Sequence, residues 1–245
     1  MISTVSIEAL AGTLPRTPLA ILPTPLVAAP RLAAALGTGP LLVKRDDLTG
    51  FAFGGNKARL LEFLVAAAIA EDADTLLTGG AAGSNFCAAT AAAARRAGLA
   101  CELVIAGRPG PPGSPGPALA LAGLVAGHVL LGRPWTLLGC SASRPPQAAQ
   151  RQLLTLAREC LRLLGAEQEP GPADVTVVDA RGPGHGLPSP DGLVAAEQAM
   201  RTEGLMLDPV YTAKALAQVP KSRAVVFWHT GGVLDAVAAA QEASS

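Results

Sequence analysis

Aromatic side chains are scarce: they make up 3% of the 245 residues, with a single tyrosine. The core must therefore be filled mostly by Ala, Leu and Val, each offering modest contact area. Charge of one sign is also lacking. Lys+Arg and Asp+Glu both number 19, so the formal net charge is zero. That balance excludes a general nucleic-acid binder, which needs a basic excess to displace counterions. It equally excludes a polybasic membrane anchor. The four cysteines (Cys87, Cys101, Cys140 and Cys160) lie far apart with no CxxC pair. That spacing makes neither a zinc knuckle nor a compact disulfide framework, and reads as four buried thiols in a reducing cytosol. The longest apolar run, Ala118–Leu131, is interrupted by Gly123, Gly127 and His128 and is too short to span a bilayer. The opening MISTVSIEAL carries Glu8 and no basic stretch, so it is a poor signal peptide. None of the three histidines has a partner at metal-ligand spacing, and neither HExxH nor a Ser/His/Asp order appears. These absences describe a soluble, cytoplasmic protein with no metal and no nucleic-acid or membrane partner.

What is present is an ordinary apolar fraction of 50%, punctuated by 27 glycines and 21 prolines. The length suits one large domain or two small ones. Residues 14–30 hold five prolines and read as an extended arm with a turn. Beyond it, strand and helix signals alternate. Leu41–Arg45, Thr75–Thr78, Cys101–Ile105, Trp135–Ser141, Val175–Val178 and Arg223–Thr230 read as strands. Helices are expected at Lys57–Glu71, Ser84–Arg96, Ala118–Gly132, Pro146–Gly165, Gly192–Gly204, Thr212–Val219 and Val233–Gln241. Residues 107–117, GRPGPPGSPGP, read as loop. Such alternation predicts an α/β fold of three layers, a mostly parallel sheet with helices on both faces. Ligands of such sheets bind where strand ends give way to loops and helix N-termini. That directs attention to Gly50–Lys57, Gly79–Asn85, Gly113–Pro117 and His229–Gly232.

Lys57 follows Gly54, Gly55 and Asn56 at a loop-to-helix junction. A lysine partly desolvated there has a lowered pKa and a free amine able to attack a carbonyl. Taken alone, GGNK is more often a solvated first-turn lysine. Ser84-Asn85 opens a helix whose free N–H groups favour anions, although a serine there commonly serves only as a cap. Asp46 and Asp47, beside Lys44 and Arg45, read as a solvated charge run. Tyr211 sits in the turn Asp208-Pro209-Val210-Tyr211, where a lone tyrosine is usually a packing residue. His229 ends a strongly apolar strand and reads as a structural histidine.

Order and context change these readings. KRDDLTGFAFGGNKARLLEFL (44–64), DTLLTGGAAGSN (74–85), LDPVYTAKAL (207–216) and FWHTGG (227–232) follow one another along the chain. Together the four blocks resemble the 1-aminocyclopropane-1-carboxylate deaminase / D-cysteine desulfhydrase family, pyridoxal-phosphate enzymes of the tryptophan-synthase β-like fold. The resemblance covers most of residues 15–242. It implies pyridoxal 5'-phosphate as cofactor and Lys57 as the lysine that forms the Schiff base with it. It implies Ser84 and Asn85 at the substrate carboxylate and cofactor, with Ser84 in an acid/base or nucleophilic role. Tyr211 matches an active-site tyrosine, and Thr230, with Gly231 beside it, the segment near the cofactor's pyridine ring. Thr212, where the deaminases tend to carry Glu, places the chain nearer the D-cysteine desulfhydrases. A small amino acid as substrate and a homodimer are implied likewise.

The chain also departs from the family pattern. Relatives carry a further stretch between the strand matched by Cys101–Ile105 and the segment matched by Ala122-Gly123-Leu124. That stretch completes the small domain and supplies the glycine-rich loop for the cofactor phosphate. The chain is thus expected to be a single unit over 1–245, with residues 55–106 as the remnant of the small domain and 107–117 replacing the missing segment. The phosphate loop falls at Gly116–Ala120 or at Gly113–Pro117, and both placements contain proline, which has no N–H to donate. Phe86 and Gly83 stand where polar residues are common. Two functions follow as expectations. One is a pyridoxal-phosphate lyase that eliminates a β-substituent and releases ammonia and a 2-oxo acid. The other is a non-catalytic, truncated remnant with weak or no cofactor binding.

Overall fold

The computed structural model describes residues 12–81, 84–106, 116–184 and 186–242. Its centre is strand β2 (Leu41–Arg45), with Leu41 and Val43 2% and 0% exposed, the alternation of a strand with one buried face. Strand β1 (Leu26–Ala28) pairs antiparallel with one edge of β2. Strand β7 (Val225–His229) pairs parallel with the other, from Leu41 opposite Val225 to Arg45 opposite His229. Because β2 and β7 run parallel and end at the same level, the loops that follow them emerge side by side.

Two further parallel pairs are strand–helix–strand units. Strands β3 (Thr75–Ala81) and β4 (Ala100–Ala106) are joined through helix α3 (Asn85–Ala97). Strands β5 (Leu138–Ser141) and β6 (Thr176–Asp179) are joined through α5 (Pro146–Leu163). The remaining helices are α1 (Pro30–Leu36), α2 (Lys57–Ala70), α4 (Gly116–Leu130), α6 (Pro190–Glu203), α7 (Thr212–Leu216) and α8 (Val233–Glu242). The α/β architecture expected from the alternation is present. Among the described residues, however, the hydrogen-bonded ladder is divided into three sheets, and one edge strand is antiparallel.

Packing follows the composition. Leu32 and Ala33 of α1, Ala195 and Ala199 of α6, and Ala213 and Leu216 of α7 close over Leu41, Val43 and Phe227. Leu61 and Val65 of α2 meet Ala89 and Ala93 of α3. Val125 of α4 meets Leu153 and Ala157 of α5. Alanine on so many facing positions lets helices approach closely, which compensates for the missing aromatics. By contrast Leu77 on β3 and Val104 on β4 remain 69% and 63% exposed.

Several expectations are corrected. The proline-rich arm of residues 14–30 includes β1, and its last residue, Pro30, starts α1, a helix for which there was no expectation. Pro30 occupies the first turn of α1, where its missing N–H costs nothing, and RLAAAL is too short to show a helical period. The strand expected at 135–141 begins at Leu138, and the helix expected to reach Val219 ends at Leu216. Gly116 and Pro117 belong to α4, since proline is tolerated in a first helical turn; residues 107–115 of the expected loop lie outside the described residues. All four cysteines are free, but only Cys87 is buried; the other three are half-buried.

Asp46 and Asp47 are not a solvated run. Asp46 is 0% exposed, in a turn of 3-10 helix (Asp46–Leu48) at the end of β2. Its carboxylate accepts hydrogen bonds from Thr24 Oγ1 (2.6 Å), from Arg59 Nε and NH2 (2.8 Å each) and from Trp228 Nε1 (2.8 Å). The arm, β2, α2 and β7 thus share one buried anion. Asp47 pairs with Arg45 at 2.6 Å. A second tie is Glu62 of α2, 1% exposed, whose Oε1 accepts from Leu19 N and Ala20 N of the arm (2.8 and 2.9 Å). Burial alone raises the Asp46 pKa, but the hydrogen bonds from Arg59, Thr24 and Trp228 and the Arg59 charge outweigh it, and the pKa lies below the usual carboxylate range.

The sign of the pH effect follows. A depressed folded pKa contributes stability that is fully present above the unfolded value and is lost as pH falls through the folded one. D46N leaves Arg59, a third exposed, without its counter-charge, at an expected cost of about 2–4 kcal/mol near pH 7. Urea denaturation should show that gap shrinking once the pH drops below about 3.9, the ordinary aspartate value. A gap independent of pH would mean that the charge of Asp46 is not what matters.

Candidate active site

The loop from β2 into α2 is backbone packed on backbone. Ala52, Phe53, Gly54 and Gly55 all have positive φ. A Cβ on Gly54 would lie 1.9 Å from the Asp47 carbonyl oxygen, so only glycine fits. Across the cleft floor, a Cβ on Gly231 would lie 2.7 Å from Gly55 Cα. Asn56 N donates to Thr230 O at 3.0 Å, and Gly55 N to Asp46 O at 2.9 Å. The two loops expected at the ends of the parallel pair are therefore laced together, and this fixes Lys57 as the first residue of α2.

Lys57 faces a small cleft whose walls include Phe53, Gly55, Asn85, Thr230, Gly232 and Val233. Burial lowers the pKa of its amine; the nearby charges of Asp208 and Asp235 push it back up without cancelling the effect. Asp208, 2% exposed, is a backbone organiser. Its Oδ1 accepts from Val210 N (3.1 Å) and Tyr211 N (2.6 Å), and its Oδ2 from Thr212 N (2.9 Å) and Thr212 Oγ1 (2.5 Å). Asp208 thereby caps α7 and fixes the turn that carries Tyr211. Asp235, in the first turn of α8, accepts from Asn85 Nδ2 at 2.6 Å.

The expected site residues divide. Lys57, Asn85 and Thr230 come together on one cleft. Gly231 serves the floor, packed on Gly55, with its N–H directed at His229 Nδ1 (3.4 Å). Ser84 is the N-cap of α3, its Oγ accepting from Cys87 N at 3.3 Å, which is the capping role. Tyr211 is 42% exposed and is not among the cleft-wall residues named above. Its hydroxyl pKa is raised by burial and by the Asp208 and Asp235 charges, so it shares their electrostatic neighbourhood. His229 is structural as expected: it is 0% exposed, with Nε2 3.0 Å from Met206 O. Phe86 packs beside the α2–α3 cluster. Gly83 lies outside the described residues. Among the described residues no group of three His, Cys, Asp or Glu could hold a metal ion, and no helix is long and apolar enough to cross a membrane. Three of the thiols are poor nucleophiles: burial pushes Cys140 up to about 11 and raises Cys101 and Cys160.

Asp208 and Asp235 were missed. Asp208 stands within one of the motif blocks, and the Asp-Pro turn ahead of a helix is a capping signal that could have marked it. Asp235 interrupts an otherwise apolar stretch, VLDAVAAA; a lone charge there was its only signal.

The desolvation of Lys57 makes a direct prediction. Competitive labelling with acetic anhydride across pH should show Lys57 acylated with a half-maximal rate at a pH below about 10.4, the ordinary lysine value. A profile centred on the ordinary value would remove the electrostatic basis of the site.

A family model described as pyridoxal-phosphate dependent enzyme matches residues 17–117. The D-cysteine desulfhydrase of Yersinia enterocolitica is 30% identical over 303 residues, covering 85% of this chain and 91% of the relative. That of Salmonella choleraesuis is 29% identical over 309 residues, covering 89% and 94%. Both matched stretches exceed the 245 residues here, so these relatives carry residues with no counterpart in this chain. The crystal structure of a 1-aminocyclopropane-1-carboxylate (ACC) deaminase homologue superposes with a TM-score of 0.80 at 25% identity, covering 95% of this chain and 96% of that one. With sequence and fold pointing the same way, the chain belongs to the pyridoxal-phosphate dependent enzymes, in the family of the D-cysteine desulfhydrases and ACC deaminases.

Proposed function

We propose that this chain is a lyase that deaminates a small amino acid in the manner of a D-cysteine desulfhydrase, with Lys57 as the residue that holds pyridoxal phosphate. The observation that carries the reading is the desolvated Lys57 amine on the same cleft as Asn85 and Thr230. The donor set fits the cofactor's chemistry: an amine with a lowered pKa is available to an aldehyde nearer neutral pH. When bound, pyridoxal phosphate supplies an electron sink that permits loss of a β-substituent from an amino acid.

The chain's own residues do the rest. Lys57 Nζ would hold the cofactor, and its amine is placed to carry a proton within the cleft. Asp208 and Asp235 oppose the desolvation of that amine and so keep its proton exchangeable. Asn85 Nδ2 lies where a substrate carboxylate would approach the N-terminus of α3. Thr230 borders the ring side, and Gly231 holds the loop beneath it. Tyr211, kept protonated by its raised pKa, is positioned by Asp208 as a hydroxyl donor at the site's margin. Ser84 orients Asn85 by capping the helix, and on this reading its acid/base role waits on release of that cap. Residues 55–106 are read as what remains of the small domain. The exposed Leu77 and Val104 support this, since they mark a face that a larger domain would cover.

The second reading, a non-catalytic remnant, is favoured by the phosphate loop. Gly116–Ala120 opens α4, and Pro117 removes one N–H from that turn; Pro115 removes another from the alternative placement. Losing a charge-assisted donor costs about 1.5–3 kcal/mol.

Two measurements separate these readings. Loaded with pyridoxal phosphate, the chain should release sulfide, ammonia and a 2-oxo acid from D-cysteine, and K57A should lose at least about a hundredfold in rate. No release by the wild type, despite bound cofactor, favours the remnant. Titration with pyridoxal phosphate and with unphosphorylated pyridoxal at matched pH should show similar affinities, because the phosphate finds few donors. A strong preference for the phosphorylated form would show that another segment cradles it.

A further inference from the structure

We propose that Phe53 is a binding residue of the Lys57 cleft: its ring lies over the ligand held at the amine and keeps water from the bond formed there. The inference rests on the reading of Lys57 as the residue that holds pyridoxal phosphate.

Phe51 and Phe53 stand two residues apart in one loop and meet opposite fates. Phe51 is 8% exposed and packs with Leu61 and Ala89 in the cluster between α2 and α3. Phe53 is 73% exposed. Slack backbone does not explain the difference. Gly54 N donates to Phe51 O at 2.9 Å, Gly55 N to Asp46 O at 2.9 Å, and Thr49 Oγ1 to Gly55 O at 2.9 Å. The loop is thus tied on both sides of Phe53, and it holds that residue at a φ of 68°. A bulky side chain adopts this left-handed conformation only under constraint, whereas glycine, used at the next two positions, takes it freely. A ring left so far in solvent gains little from the fold itself. An aromatic held in an unfavourable conformation and left uncovered, in a chain with few aromatics, marks a side chain whose partner is a ligand.

The cleft shows which ligand. Phe53 forms part of its wall together with Lys57, Asn85 and Thr230. Being exposed as well, it stands at the rim. Ala52 from the same loop, and Val233 and Leu234 from α8, supply the other apolar side chains of the wall, and Leu234 is also exposed. An apolar rim around one amine suits a flat aromatic aldehyde, whose reactive carbon meets Lys57 Nζ and whose ring is covered by Phe53. Burial already lowers the pKa of the Lys57 amine. A ring laid over the site takes away further water, the reagent that would undo the bond between amine and aldehyde.

The test uses the pyridoxal-phosphate-loaded chain and hydroxylamine. Hydroxylamine attacks the cofactor carbon bonded to Nζ, leaves with the cofactor as its oxime and returns Nζ as a free amine. Decay of the visible absorbance therefore reads access to that bond. The proteins are the wild type, F53A, which removes the ring, and F53L, which keeps part of the apolar cover. F53A should be captured about tenfold faster than the wild type, and F53L at a rate between the two. Titration with unphosphorylated pyridoxal, which has no phosphate to anchor it, should show the same order, with the dissociation constant of F53A raised about tenfold. Thermal midpoints of the unloaded proteins should match, since an exposed ring adds little to the fold. If F53A melts early, the comparison of F53L with the wild type decides alone. Equal capture rates and equal dissociation constants for the wild type and the variants overturn the role of Phe53 and leave the reading of Lys57 intact. A wild-type chain that takes no pyridoxal phosphate on Lys57 overturns that reading and the inference with it.

Discussion

The Asp46 carboxylate is the constraint on which the site depends. It is fully buried at the end of β2, and four hydrogen bonds reach it from Thr24, Arg59 and Trp228. Arg59 lies two residues beyond Lys57, and Trp228 two residues before Thr230. One anion thus sets the distance between the helix that carries Lys57 and the strand that leads to the opposite wall. Its backbone contributes too, since Asp46 O accepts from Gly55 N in the glycine loop. Glu62 does the same for the arm, one turn further along α2. Buried charges of this kind are costly when left unpaired, so each ties its partners to one arrangement.

From this frame the electrostatics of the cleft follow. The loops after β2 and β7 are packed backbone against backbone, which leaves no room for a side chain at Gly54 or Gly231. Two carboxylates, Asp208 and Asp235, offset the desolvation of Lys57. Asp208 is committed to the turn before α7, and Asp235 to Asn85. The same charges that tune the amine therefore also hold the Tyr211 turn and the Asn85 amide in place. Chemistry and architecture are coupled through a handful of residues rather than through the bulk of the core.

Much of this was legible in the sequence. The strand at Leu41–Arg45 and the helices at Lys57 and Pro146 are long or strongly patterned, and they form where the pattern puts them. Lys57, Asn85 and Thr230 lay in motif blocks and converge on one cleft. What was hidden is tertiary. The short β1 and α1 sit among prolines, where a period cannot show itself over three or seven residues. Asp46 beside Arg45 looks like surface charge until Trp228 and Thr24, 182 and 22 residues away in sequence, are folded onto it. Asp235 matters only because α8 lies against the start of α3, a contact that no local pattern encodes.

Among the four lysines of the chain, Lys57 is the one proposed to hold the cofactor. Lys44 donates to Thr24 O at 2.6 Å, and Lys214, 1% exposed, is bound to Arg181 O and Gly184 O. The most direct measurement is borohydride reduction of the chain treated with pyridoxal phosphate, followed by mass-spectrometric peptide mapping. The reduced pyridoxyl group should appear on the peptide that contains Lys57. Label on Lys44, Lys214 or Lys221, with Lys57 unmodified, would contradict it.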